Sequence, residues 1–189
     1  MTTPPFPPTS PASPPYRVLF VCWGNICRSP TAEALLRRDV AAAGLEGLIE
    51  VDSAGTSAEH LGSPPDRRSQ KEARRRGVDM GDLRARRIVP DDFDRFDLLL
   101  VTDDPVERSL RRQAPDGADL TKVRRITDFV APDGPFAADV VAAEVPDPYY
   151  GGADGFRHVF DLLEAASAGI LAHARNALSL DPARSPDPA

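Results

Sequence analysis

The sequence predicts a three-layer α/β fold, in which a four-stranded parallel sheet is flanked by helices on both faces. Two observations lead to this prediction. Short apolar runs typical of strands alternate along the chain with longer stretches whose apolar residues recur at helical spacing. The strand-like runs are apolar on both faces, which is the pattern of parallel strands covered by helices on each side. The 189 residues, 41% of them hydrophobic, suffice for one domain with a full core.

The predicted elements follow one another in alternating order. The first strand is the apolar run at residues 18–21. We expect Ser29 to cap the next helix, Pro30 to occupy its first position and Gly44 to end it. The last helix is the longest, with aromatic and aliphatic residues at helical spacing. The predicted strands are residues 18–21, 49–53, 97–102 and 123–126, and the predicted helices are residues 31–43, 65–76, 105–113 and 155–178.

Both ends of the chain differ from the rest in composition. Residues 1–15 contain seven prolines, which cannot extend helices or strand ladders, so we expect a disordered or polyproline-like tail there. Residues 179–189 contain three more prolines and are expected to form a second disordered tail. These boundaries leave one predicted domain at residues 16–178.

Composition argues against several classes of protein. The formal net charge of −6 disfavours nucleic acid as a partner. The chain has no run of about eighteen apolar residues, so a membrane span is not expected. A basic region followed by an apolar one is also missing from the N-terminus, so we expect no secretory signal. Two cysteines on one short segment do not make a disulfide framework, and the cytoplasm is the expected location.

The most informative local feature is the segment CWGNICRSP at residues 22–30, directly after the first predicted strand. Gly24 and Asn25 tolerate positive φ, so the chain can turn its N–H groups toward one centre as an anion-binding nest. Arg28 and the N-terminus of the next helix add positive charge, which favours a thiolate at Cys22. This arrangement predicts attack of the thiolate on a phosphate-like group. The alternative is that Cys22 is merely a small buried hydrophobe.

A candidate general acid lies far downstream, at Asp147. It stands between Pro146 and Pro148, which stiffen the backbone. A carboxylic acid there can protonate a leaving oxygen. The Asp-Pro pair is equally consistent with simple turn chemistry, and Tyr149 and Tyr150 are consistent with packing. The residues alone leave both interpretations open.

The segment at residues 21–30 resembles the phosphate-binding loop of low-molecular-weight protein tyrosine phosphatases. The resemblance continues at residues 51–56 (VDSAGT), 62–66 (GSPPD) and 147–151 (DPYYG), and it spans about residues 16–177. It implies an enzyme that hydrolyses phosphotyrosine and small aryl phosphates through a phosphocysteine, without cofactor or metal. The implied partners are phosphotyrosine-containing proteins, with a cognate tyrosine kinase as a candidate.

The resemblance also implies a role for each site residue. Cys22 is the nucleophile, and Asp147 is first the acid and then the base. Arg28 holds the phosphate oxygens, and Ser29 donates a hydrogen bond to the sulfur. The other implied site residues are Trp23, Gly24, Asn25, Ile26 and Cys27 for phosphate binding, Tyr149 and Tyr150 as cleft walls, and Ser53 as a loop support that pairs with Asn25.

Four residues either depart from the pattern of this family or allow more than one interpretation. Trp23 stands where the family often has a smaller residue, and we expect it to extend the apolar rim of the cleft. Arg75 and Arg76 stand near the place where eukaryotic members carry a histidine, which leaves the support of the loop open. Cys27 is either a redox partner that forms a reversible disulfide with Cys22 or an inert buried thiol.

Two other functions compete with this one. An arsenate reductase of the same fold needs a third cysteine for its thiol relay, and the chain has only Cys22 and Cys27. A non-catalytic phosphotyrosine-binding module would lack the nucleophile or the acid, and candidates for both are present.

The cations at residues 67–87 form either a solvated helix face or a flank that steers acidic phosphopeptides. The three histidines lack metal-ligand spacing, so no metal site is predicted.

Overall fold

A computed structural model describes residues 14–180 and contains one parallel sheet of four strands. The strands are β1 (Tyr16–Cys22), β2 (Ile49–Gly55), β3 (Leu98–Val101) and β4 (Val123–Arg125). Their order in the sheet is β2-β1-β3-β4. In β1, Cys22 lies opposite Gly55 of β2, and Val21 lies opposite Val101 of β3. All pairs are parallel, so the strands end at one edge of the sheet.

Helices cover both faces of the sheet, which confirms the predicted fold class. The helices are α1 (Arg28–Ala42), α2 (Arg67–Arg75), α3 (Pro90–Arg95), α4 (Asp104–Gln113), α5 (Ala137–Ala142) and α6 (Ala153–Leu180), with 3₁₀ turns at Leu120–Lys122 and Ile126–Phe129. Alternate residues of β1 point to opposite faces: Val18 and Phe20 pack in one apolar cluster with α1 and α6, whereas Leu19 and Val21 pack in the other with α3 and α4.

The start of α1 differs from the prediction. The helix begins at Arg28, three residues before the predicted start, and Pro30 is its third residue. Ser29 therefore lies inside the helix and does not cap it; Cys27 holds the cap position without a side-chain hydrogen bond. The reason is that the Ser29 hydroxyl is engaged by the neighbouring loop, as described below.

Other boundaries differ by a few residues, and two short helices, α3 and α5, were not predicted. The helix α6 continues to Leu180, two residues into the segment predicted as a tail. The rest of that segment and residues 1–13 of the predicted N-terminal tail lie outside the described residues. Within residues 14–180, none of the helices combines the length and apolar character that crossing a membrane requires.

Candidate active site

The loop between β1 and α1 lies at the edge where the parallel strands end. Its backbone is tied to the segment after β2, since the Thr56 N–H donates to the Cys22 carbonyl at 2.9 Å and the Ser57 N–H donates to the Trp23 carbonyl at 2.9 Å. Gly55 makes this approach possible, because a Cβ there would lie 2.7 Å from the Trp23 carbonyl oxygen. The glycine of the VDSAGT segment thus lets strand and loop meet.

The Cys22 sulfur lies at the centre of this loop. It accepts the Asn25 backbone N–H at 3.2 Å and the Ser29 hydroxyl at 3.0 Å. Cys22 is buried, and α1 begins six residues later with its N-terminus at the loop. Two donors and the partial positive charge of a helix N-terminus stabilise negative charge on this sulfur.

Asn25 organises the loop through its side chain. Its φ of 54° is in the left-handed region, which asparagine tolerates better than most residues. The Nδ2 group donates to Ser29 Oγ at 2.9 Å and to Ser53 Oγ at 2.8 Å, while Oδ1 accepts the Arg86 backbone N–H at 2.9 Å. The predicted pair of Asn25 and Ser53 is in contact, and every polar group of the amide has a partner.

Glu33 continues this network, although the sequence analysis did not single it out. The Ser53 hydroxyl donates to Glu33 Oε2 at 2.6 Å, and Arg37 pairs with Oε1 at 2.5 Å. Burial raises the pKa of Glu33 from 4.5 to about 7, with the hydrogen bond from Ser53 acting in the opposite direction. The charges of Asp52 and Asp82 raise the pKa further.

Arg75 and Arg76 do not contact the loop-supporting network. Arg75 donates to Glu72 at 2.8 Å, and Arg76 donates to Glu72 at 2.9 Å and to Glu164 at 2.7 Å. These ion pairs neutralise part of the basic segment and tie α2 to α6. The Ser53 hydroxyl donates to Glu33 instead.

Arg28 is held between two acidic residues. Its Nη1 donates to Asp103 Oδ2 at 2.5 Å and to the Val145 carbonyl at 3.2 Å, and its Nη2 donates to Asp147 Oδ2 at 3.2 Å. The Arg28 side chain is 5% exposed. Burial alone would lower the pKa of Arg28, but the charges of Cys22 and the two aspartates outweigh burial and raise it. Arg28 is therefore a fixed cation beside the sulfur.

Asp103, the closest partner of Arg28, is itself fixed at the end of β3. Its Oδ1 accepts the Val106 N–H at 2.7 Å as the cap of α4, and Oδ2 accepts the Thr102 hydroxyl at 3.2 Å. The sequence analysis assigned Asp103 no role in the site. The available signal was its position at the carboxyl end of a buried strand, where ligands of open parallel sheets bind.

Asp147 lies on a loop that is tied to the sheet. The Val145 N–H donates to the Thr102 carbonyl at 2.8 Å, and the Tyr149 N–H donates to Asp147 Oδ1 at 3.1 Å. The Asp147 side chain is 46% exposed, so its carboxyl reaches the solvent side of the Arg28 guanidinium. The Asp147 carboxyl is therefore accessible to a ligand that enters the site from solvent.

A cleft of about 170 Å³ leads to the sulfur, with aromatic side chains around it. Trp23 and His60 meet edge to face at 6.3 Å between ring centroids, and His60 lies 6.5 Å from Tyr149. Tyr149 and Tyr150 also meet edge to face, at 5.0 Å. The sequence analysis gave His60 no role, because a single histidine in a loop carries no pattern.

The structure brings together the residues that the sequence analysis named. Asn25, Ser29 and Ser53 lie beside or behind the sulfur. Residues 14–180 hold no group of side chains suited to a metal ion. The predicted residues that line the cleft are Cys22, Trp23, Gly24, Ile26, Cys27, Arg28, Asp147, Tyr149 and Tyr150.

Cys27 lines the cleft as a buried free thiol, and Cys22 is free as well. Burial, together with the charges of Asp66, Cys22 and Asp147, raises the pKa of Cys27 to about 12. Cys27 is therefore a neutral thiol at physiological pH.

Comparison with known proteins places the site in context. A family model described as low molecular weight phosphotyrosine protein phosphatase matches residues 17–180. The chain is 45% identical over 160 residues to the low molecular weight protein-tyrosine-phosphatase of Streptomyces coelicolor, covering 85% of this chain and 94% of that one. It is 36% identical over 143 residues to the human low molecular weight phosphotyrosine protein phosphatase, covering 76% and 85%.

Solved structures agree with these matches. The fold is similar to that of YfkJ from Bacillus subtilis, with a TM-score of 0.77 and 37% identity over 86% of this chain and 96% of that one. It is equally similar to a protein tyrosine phosphatase from Entamoeba histolytica with Hepes in its active site, with a TM-score of 0.77 and 34% identity over 86% and 98%.

Proposed function

Because this chain belongs to the low molecular weight phosphotyrosine protein phosphatase family and is an enzyme of that class, we propose that Cys22, Arg28 and Asp147 carry out its reaction. One observation carries the assignment. The sulfur that accepts two hydrogen bonds lies in the same cleft as a buried guanidinium and an exposed carboxyl, and that guanidinium contacts the carboxyl at 3.2 Å.

In the first step, the Cys22 thiolate attacks the phosphorus of phosphotyrosine in line with the bond to the phenol oxygen. The S–P bond forms while that P–O bond breaks. The N–H groups of residues 23–28 and the Arg28 guanidinium stabilise the equatorial oxygens, on which charge accumulates. Asp147 donates its proton to the departing oxygen, so tyrosine leaves as a neutral phenol.

In the second step, water attacks the phosphorus of the phosphocysteine. Asp147, now a carboxylate, accepts a proton from this water, and the S–P bond breaks to release inorganic phosphate. The Ser29 hydroxyl, 3.0 Å from the sulfur, stabilises the thiolate as it leaves. Asn25 and Ser53 keep that hydroxyl in place through the contacts described above.

The substrates are phosphotyrosine-containing proteins, and we propose that a cognate tyrosine kinase is among them. The aromatic walls favour the binding of aryl phosphates over that of alkyl phosphates, because aromatic rings contact the edges and faces of other rings favourably. Trp23, which is 48% exposed, extends this wall toward the residues that flank phosphotyrosine in a peptide. A thiol relay of the arsenate reductase type would need a third cysteine, and the chain has two.

Activity measurements on variants test these roles. We expect Cys22→Ser to abolish hydrolysis of a phosphotyrosine peptide. Asp147→Ala should lower kcat/KM roughly 10²–10⁴-fold and still bind the peptide, since only the proton donor is lost. Asp116→Ala, in an exposed turn, is the matched control and should keep the parent's activity. Normal turnover by Cys22→Ser would refute the mechanism.

We further propose that the enzyme works in the cytoplasm and that Cys27 protects Cys22 from irreversible oxidation. Peroxide would convert Cys22 to a sulfenic acid, which condenses with the Cys27 thiol to a disulfide and water. Two free thiols in one cleft support this proposal. After peroxide treatment, the parent should regain activity with added thiol, and Cys27→Ser should regain much less. Equal recovery would rule out protection.

A further inference from the structure

Arg68, in the first turn of α2, reaches across to the loop that carries Asp147. Its Nη1 donates to the Tyr149 carbonyl at 2.9 Å and lies 3.4 Å from the Gly151 carbonyl. Two carbonyls of that loop therefore converge on one end of a planar guanidinium. In the sequence, Arg68 stands out only as one of the cations at residues 67–87, which form either a solvated helix face or a flank that steers acidic phosphopeptides.

The face of the same guanidinium is covered by aromatic rings. Its central carbon lies 4.6 Å from the centroid of Phe156 and 5.5 Å from that of Tyr149. Phe156 belongs to α6 and is buried, so it fixes the plane in which the donors of Arg68 lie. The guanidinium is thus positioned by stacking as well as by hydrogen bonds.

On its other side, Arg68 is connected through Asp66 to the phosphate-binding loop. Asp66 pairs with Arg68 through Oδ1 and Oδ2 at 3.0 and 2.9 Å, and the Asp66 backbone N–H donates to the Ile26 carbonyl at 2.7 Å. A continuous chain of contacts runs from Ile26 through Asp66 and Arg68 to Tyr149. It joins the loop that holds the phosphate to the loop that holds the acid.

We propose that Arg68 is a positioning residue, which holds the carboxyl of Asp147 over the phosphate-binding loop during proton transfer. The inference rests on the acid role proposed for Asp147. The Tyr149 N–H donates to Asp147 Oδ1 at 3.1 Å, so fixing the Tyr149 carbonyl fixes the turn that orients the carboxyl. The upstream side of the loop has its own tie, from the Val145 N–H to the sheet, and Arg68 supplies the downstream one. A proton donor must lie within hydrogen-bond reach of the leaving oxygen, and small displacements are costly.

The test compares two substrates that differ in how much they need an acid. Phenyl phosphate releases a phenol with a pKa of about 10, like that of tyrosine. Para-nitrophenyl phosphate releases a more acidic phenol, which departs with less help. Because kcat/KM reports the steps up to loss of the phenol, loss of acid catalysis lowers kcat/KM more for phenyl phosphate.

Four single variants and one double variant, Arg68→Met with Asp147→Asn, complete the design. Arg68→Met keeps the aliphatic stem and removes the donors, whereas Arg68→Lys keeps the charge without the planar fork. Asp147→Asn removes the acid and therefore gives the change in kcat/KM that a complete loss of acid catalysis causes. Arg74→Met is the matched control, at an exposed position of the same helix.

We expect Arg68→Met to lower kcat/KM roughly 10- to 100-fold for phenyl phosphate and at most about 3-fold for para-nitrophenyl phosphate. Arg68→Lys should fall between parent and Arg68→Met, and Arg74→Met should match the parent. Adding Arg68→Met to Asp147→Asn should change little, because the positioned acid is already gone. The inhibition constant of inorganic phosphate should stay near the parent's value, which shows that the variant is folded and its phosphate-binding loop intact.

Equal losses for both substrates, or none, in Arg68→Met would overturn the positioning role if Asp147→Asn still discriminates between the substrates. The acid assignment would then stand. If Asp147→Asn itself affects both substrates equally, the acid assignment fails and the role of Arg68 fails with it. A large rise in the inhibition constant of phosphate in both Arg68 variants would also overturn the proposal, because Arg68 would then maintain the fold of the site.

Discussion

Replacing Glu33 with glutamine tests the buried network behind the phosphate-binding loop. The substitution keeps the shape of the side chain and removes its ionisation. Glu33 lies between the Ser53 hydroxyl at 2.6 Å and the Arg37 guanidinium at 2.5 Å, and it is 2% exposed. Because burial raises its pKa to about 7, the carboxyl gains its charge within the physiological pH range.

The size and sign of the effect on stability follow from the difference between the pKa of Glu33 in the unfolded chain and its pKa in the folded protein. The pKa is near 4.5 in the unfolded chain and about 7 in the folded protein. Between these values the folded protein binds more protons, so the stability from Glu33 is fully present below about pH 4.5 and is lost as pH rises through about 7. A gap of about 2.5 pH units, at about 1.4 kcal/mol for each, limits the effect to roughly 3.5 kcal/mol.

Urea unfolding at about pH 5.5 and about pH 8 measures this effect. Between these conditions, the free energy of unfolding of the parent should fall by about 2 kcal/mol relative to that of Glu33→Gln. Comparison with the variant cancels the titration of all other groups. Glu46→Gln removes the same charge at an exposed position and should follow the parent at both pH values.

Two results would refute this reasoning. The difference between parent and Glu33→Gln could stay constant within about 0.5 kcal/mol, which would mean that Glu33 titrates alike in both states. Alternatively, the parent could gain stability relative to the variant as pH rises. In that case the ion pair with Arg37 would outweigh burial and hold the carboxylate charged in the folded protein.

Two further predictions follow from contacts near the sulfur. Asp103→Asn leaves the buried Arg28 without its closest carboxylate, so we expect about 3 kcal/mol less stability in urea unfolding and a loss of at least about 10-fold in kcat/KM. Asp104→Asn, at the neighbouring exposed position, should keep the parent's kcat/KM, and a loss as large as that of Asp103→Asn would contradict the explanation. Gly55→Ala places a Cβ 2.7 Å from the Trp23 carbonyl oxygen and should cost about 1–3 kcal/mol, seen as a lower Tm. Gly152→Ala meets nothing within 4 Å, and an equal decrease in Tm there would show that the clash is not the cause.

The sheet could be predicted because its determinants are local. The residues of β1 and β3 are buried on both faces and read as short apolar runs in the sequence. The helix α3 was missed because it has six residues, several of them acidic, and no apolar period. The start of α1 was misplaced for another reason. A serine before a proline suits a helix cap, but here the Ser29 hydroxyl donates to Cys22, a choice that depends on the folded loop.

The residues of the site also differ in how far they could be predicted, depending on how far apart they lie in the sequence. Cys22 and Arg28 lie within one short segment, so the sequence could place them together. Asp103 is 75 residues from Arg28, and Glu33 is 20 residues from Ser53, so these pairs appear only when the fold is known. Asp147 is 119 residues from Arg28, and the residues alone could not separate an acid from a turn.

The two terminal nitrogens of the Arg28 guanidinium, Nη1 and Nη2, have different surroundings. Nη1 is held by Asp103 and the Val145 carbonyl, both fixed by β3 and its neighbours. Nη2 contacts Asp147, whose side chain is 46% exposed and lies on a loop. In the proposed mechanism, a phosphate dianion competes for Nη2 without disturbing Nη1, because the planar fork presents separate donors to separate acceptors. A lysine has a single nitrogen and could not be fixed at one end while exchanging partners at the other. The proposed mechanism therefore requires arginine at this position for its geometry as well as its charge.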